Sequence, residues 1–128
     1  MSRLFLPVLL FAMLAGAGPL RAEDLAPEER AAQTLAIATA VQEQLLACWS
    51  LPSGYENRSI SVRLSFTGDG NLDQDPYIVP ESLRTAGKYP VLMRSVATAI
   101  ETCLPFSGLD ALGALPGERF DITVHFQS

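Results

Sequence analysis

The chain is predicted to fold as an α+β domain, with two helices packed on one face of a three-stranded antiparallel or mixed sheet in the order 2-1-3. Three observations carry that prediction. Apolar residues recur at helical spacing over 35–48 and 93–103, and they alternate with polar residues over 59–67 and 119–127. The only two cysteines, Cys48 and Cys103, each close one of the helical patterns.

Residues 1–22 have the make-up of a secretory signal. Arg3 gives a basic start, Leu4 to Leu20 is nearly all apolar, and Ala22 offers a small residue at the cut, with Ala17 as an alternative. The run is short for a hydrocarbon layer of about 30 Å, and Pro7 and Pro19 interrupt it, so cleavage is expected in preference to an anchor. Residues 23–29 then form a short N-terminal segment, and 30–128 a single domain. Loss of Arg3 and Arg21 leaves seven basic residues against 14 acidic ones. So acidic a domain has no electrostatic reason to hold nucleic acid or anionic lipid. Two cysteines in an exported chain most simply form one disulfide. Closing a loop of 55 residues, it is expected to stabilise the fold by roughly 4 kcal/mol. A reactive thiol or a metal pair is the alternative, but no second Cys or His lies near either sulfur in sequence.

The first helix is expected to open at Pro27, whose fixed φ suits a first turn, with Glu28 and Glu29 favoured at the positive end of the helix dipole. Leu35, Ala38, Val41, Leu45 and Cys48 define its predicted buried face, with Gln33, Gln42 and Glu43 elsewhere. Trp49 is read as a cap over the helix end, and Leu51-Pro52-Ser53-Gly54 stops the helix.

From Ser59 to Thr67, Ile60, Val62, Leu64 and Phe66 share one face of a strand while Ser61, Arg63 and Ser65 share the other. Gly68-Asp69-Gly70-Asn71 is a turn by composition. A second strand is expected over Leu72–Val79, at a sheet edge because Pro76 cannot donate to a ladder. Asp69, Asn71, Asp73 and Asp75 alternate like calcium ligands, yet Gln74 stands where such a loop needs Gly and Pro80 where it needs a bidentate Glu. They are therefore read as an acidic turn.

Residues 80–88 are expected to be a linker. Pro90 opens the next helix, whose predicted buried face is Met93, Val96, Ile100 and Cys103, and Pro105 ends it. The Pro- and Gly-rich stretch 104–118 carries Phe106, Leu109, Leu112 and Leu115, which should fold onto the core. In the last strand, Arg119 to Gln127, Phe120, Ile122, Val124 and Phe126 face the core while Asp121, Thr123, His125 and Gln127 face solvent. His125, the only histidine, is expected to be solvated and without a partner. Nothing in the pattern points to catalytic residues, bound metal or cofactor.

The first strand lacks Pro and Gly and can lie centrally; pairing it antiparallel with the third gives the predicted order and leaves the last strand with one unpaired edge. Such an edge can accept an extended peptide as a fourth strand, with Asp121, Thr123 and His125 as the partner-binding residues.

Several pieces together resemble the periplasmic C-terminal domain of TolA, within the TonB/TolA C-terminal superfamily: Cys48-Trp49, the strand leading into Gly68-Asp69-Gly70-Asn71-Leu72, Asp75-Pro76, Cys103-Leu104-Pro105-Phe106 and Phe120-Asp121-Ile122. The resemblance covers residues 30–127. It implies helices on a three-stranded sheet and a periplasmic protein-binding module of the cell envelope without enzymatic activity, with partners such as TolB- and Pal-like proteins or receptor peptides. The long helical spacer of TolA has no counterpart over 23–30, so a freestanding adaptor or modulator is expected in place of a force transmitter. The alternative is a small secreted inhibitor or chaperone-like protein that binds through the loops at 68–76 and 104–118.

Overall fold

The computed structural model describes residues 25–128. The predicted signal segment, 1–22, lies outside the described residues. The elements are helix α1 (Pro27–Cys48), strands β1 (Ser59–Thr67) and β2 (Tyr77–Ile78), helices α2 (Leu83–Lys88) and α3 (Pro90–Cys103), and strand β3 (Arg119–Gln127). The three strands form one antiparallel sheet in the order β2-β1-β3, as the sequence predicts. Among the described residues no helix is long and apolar enough to cross a membrane.

Helix α1 starts with Pro27 in its first turn and Glu28 and Glu29 beside it, and Trp49 leaves the helix in extended conformation. Its buried row is Gln33, Ile37, Val41 and Leu45. Two expectations are corrected here. Leu35 is 68% exposed, while Ile37 is fully buried and Gln33 nearly so. The predicted and observed rows share Val41 and Leu45 and diverge toward the N-terminus. There Ala31, Ala32, Leu35, Ala36, Ile37 and Ala38 make the helix apolar on several sides, so spacing alone does not choose the face. Tertiary packing chooses it, and Leu35 lies about 200° around the axis from Ile37.

β1 pairs with β3 from Ser59–Gln127 to Thr67–Arg119. Ile60, Val62, Leu64 and Phe66 of β1 and Phe120, Ile122, Val124 and Phe126 of β3 are all buried under the helices. α3 adds Leu92, Val96, Ala99 and Ile100. Met93 and Cys103, predicted on the buried face, are half-buried and pack at its margin. Each fully buried Leu, Ile or Phe contributes about 1.5–3 kcal/mol relative to exposure, so these faces hold the layers together.

The second strand is shorter than predicted. Only Tyr77 and Ile78 form a ladder, against Arg63 and Val62, with an isolated bridge between Phe66 and Leu72 upstream. Pro76 has no N–H to give, and of the intervening residues Asp73 donates its N–H to Ser65 O at 2.8 Å. The linker expected over 80–88 is instead a 3-10 turn, Pro80–Ser82, followed by α2. A six-residue helix is too short for apolar periodicity to register. It buries Ala86, and the turn before it sets Ser82 beside β1, where the Ser82 hydroxyl accepts the Ser61 N–H at 2.8 Å.

Residues 104–118 fold onto the core as expected: Phe106 and Leu109 are buried, and Phe106 meets Phe66 edge-on at 5.4 Å. Leu112, at 37% exposure, stays at the rim. The Gly68–Asn71 turn is docked against this stretch by main-chain bonds from Gly68 N to Glu118 O, Asp69 N to Pro116 O and Phe106 N to Gly70 O. Cys48 and Cys103 form the predicted disulfide, with Cα atoms 6.0 Å apart, joining the C-terminal ends of α1 and α3. Trp49 caps this end of the core: its ring meets Phe126 edge-on at 5.5 Å and its indole N–H donates to Ser95 Oγ at 2.9 Å.

Candidate functional site

The outer edge of β3 is built by the strand register. Ser61 turns both main-chain groups toward β2, since its N–H goes to Ser82 and its carbonyl accepts from Val79. The Ser61–His125 pair is therefore of the kind that exchanges no ladder bonds, and such pairs alternate along an antiparallel ladder. Asp121, Thr123, His125 and Gln127 consequently turn their main-chain groups outward, away from β1. These include the three residues the sequence singles out.

Beside that edge runs α1. Leu35, Ala38, Gln42, Leu46 and Thr123 line an open groove of about 380 Å³ between helix and strand. Its helix wall is the ridge 35-38-42-46, at 3-4-4 spacing. Leu35 and Ala38, expected in the core, thus form a wall of the groove. Gln42 reaches the strand, where its Oε1 accepts the His125 N–H at 3.2 Å. That bond caps one outward donor, and among the described residues those of Asp121 and Thr123 have no such cap. The role of Gln42 was not legible in sequence, where it is one polar residue on a helix.

The side chains of the three predicted residues are engaged across the strand pair. Ser61 Oγ lies 2.6 Å from His125 Nδ1, Arg63 Nη1 donates to Thr123 Oγ1 at 3.3 Å, and Ser65 Oγ donates to Asp121 Oδ1. The expectation of a partnerless His125 is corrected: its alternation on the polar face brings it opposite a serine. A hydroxyl beside an imidazole is also the geometry of a nucleophile and its base. Here the pair is one rung of a ladder on the wet face of the sheet, continued by Ser59 with Gln127. The rungs on either side, Ser59 with Gln127 and Arg63 with Thr123, also bond through their side chains and contain no imidazole.

The acidic turn is satisfied within the chain. Asp69 accepts from the Thr67 hydroxyl and, at 3.1 Å, from the Asn71 N–H. The Thr67 bond first, then the Asn71 N–H, holds its carboxyl below the usual carboxylate range. Asp73 pairs with Arg119 Nε at 2.7 Å. Among the described residues no group of three or more His, Cys, Asp or Glu side chains is arranged to hold a metal ion. The loops proposed for the alternative reading are brought together, since the 68–71 turn lies against 106–118.

A family model described as uncharacterised conserved protein UCP034077 matches residues 31–128. No curated protein and no solved structure matches the chain.

Proposed function

We propose that this chain, which belongs to the uncharacterised conserved protein UCP034077 family, is a binding module of the bacterial cell envelope, an adaptor or modulator, that takes an extended segment of a partner protein onto β3. The single observation that carries the reading is the outward-turned backbone of Asp121 and Thr123, alongside the groove that exposes Leu35. Main-chain bonds along that edge supply affinity, and alternate partner side chains enter the groove and give selectivity. The resemblance to the TolA C-terminal domain supports a periplasmic setting and partners such as TolB- or Pal-like proteins and receptor peptides. The Cys48–Cys103 bridge supports an oxidising compartment. The reading assigns binding, not catalysis.

Thr123→Pro tests it. The Thr123 N–H points away from β1, so proline there removes an edge donor and spares the ladder. The wild-type protein should recover Tol-Pal or receptor components from a periplasmic extract, and the variant should lose them with its circular dichroism and melting temperature retained. Recovery of no envelope protein by the folded wild type, or equal recovery by the variant, would sink the reading.

The convergence of the 68–71 and 106–118 loops favours one second reading, a secreted inhibitor or chaperone-like protein that contacts its target with that end. Gly117, whose Cβ position is open, separates the two. Gly117→Arg should disturb loop-end binding and leave edge binding intact.

A further inference from the structure

The helix-on-sheet layer has another open flank, beside β2 and away from β3. A cleft of about 360 Å³ lies there between β2 and α3, within the size range of ligand pockets. Leu72, Ile78, Met93, Ala97, Ile100 and Leu104 form its apolar lining. We propose that this cleft is a second docking site, which takes an extended peptide carrying an apolar residue and a basic residue two positions apart.

The backbone supports an extended occupant. Tyr77 pairs with Arg63 and the Val79 N–H goes to Ser61 O, so these two residues face β1. Ile78 between them turns its N–H and carbonyl outward. A peptide residue set opposite Ile78 can exchange both bonds with it. Its side chain then falls on the same side of the sheet as that of Ile78, into the apolar lining.

Charge specifies the neighbour. Asp75 and Glu101 line the cleft and no Lys or Arg does, in a chain of net charge −5. Neither carboxylate is in an ion pair among the described residues, where the pair formed is Asp73 with Arg119. A residue two positions from the apolar one projects on the same side of the added strand, toward these carboxylates. A cation there is attracted, and a carboxylate repelled.

The test uses the oxidised protein and a blocked peptide, Thr-Lys-Thr-Leu-Thr-Lys-Thr, with a lysine two positions to either side of the leucine. Titration followed by amide NMR should shift Ile78, Ala97 and Glu101. Replacing both peptide lysines by glutamate, or the leucine by serine, should weaken binding at least about tenfold. Ala97 is exposed on α3, so Ala97→Phe should fill the cleft without loss of fold and reduce affinity by about tenfold or more. Ala97→Lys, which sets a cation among the carboxylates, should reduce it similarly and is a second check if the first variant melts early. Thr123→Pro should leave this binding unchanged, which separates failure here from failure at β3. Shifts confined to 121–127, equal affinity for the glutamate peptide, undiminished binding by folded cleft variants, or no shift at millimolar peptide would each overturn the proposal.

Discussion

Gly70 shows how tightly a single residue can be specified. Its φ is +92°, and a Cβ there would lie 2.1 Å from the Phe106 carbonyl oxygen. Gly70→Ala is therefore expected to cost about 2–3 kcal/mol, read as a lowered urea midpoint with an unchanged slope. The turn was legible in sequence as a turn, but its close contact with Phe106, 36 residues on, was not. Asp69 is a second case. Its carboxyl is held below the ordinary value of 3.8 in the fold, so it favours the native state while ionised. That contribution is present above the ordinary value and is lost as pH falls through it toward the lower folded value. Asp69→Asn should lose stability less steeply than wild type between about pH 5 and about pH 2.5, measured by denaturant midpoints across that range. Gln33 marks the opposite limit: a polar residue in an alanine-rich turn looks exposed, yet it is buried, and its Oε1 has no partner among the described residues.

Elements differ in how much of them a one-dimensional pattern can carry. β1 and β3 were readable residue by residue, because strict alternation fixes both faces of a strand at once. The buried faces of α1 and α3 were readable only in part, since adjacent apolar residues, the alanines of α1 and Val91-Leu92-Met93 of α3, admit more than one apolar row. β2 keeps its expected edge place but not its expected length, and α2 has no signature in the sequence, because each is only a few residues long and is held by neighbours more than by its own pattern. Ser82 is the clearest instance. Where β2 ends, its hydroxyl takes the Ser61 N–H that another strand residue would have taken. Ser82→Ala leaves that donor unpaired and should cost about 1–2 kcal/mol, with faster hydrogen exchange at the Ser61 amide.

For the whole molecule, strand order and the cystine followed from the sequence. The groove beside β3 did not, because it depends on where α1 lies against the sheet. Joining α1 to α3 across 55 residues, the bridge restrains the unfolded chain more than it alters the folded one. Replacing both cysteines with serine should lower stability by about 2–4 kcal/mol, and reductant should destabilise wild type by a similar amount but leave the variant unaffected. Thermal melts with and without reductant check both.

The turn at 68–71 meets its neighbouring stretch through main-chain atoms, which every amino acid shares. Asn71, Ser107 and Gly117 are exposed at that junction. Their chemistry can be rewritten while the path of the chain stays fixed, as in the variable loops of an antibody. A library randomised at these three positions would display new surfaces on an unaltered frame.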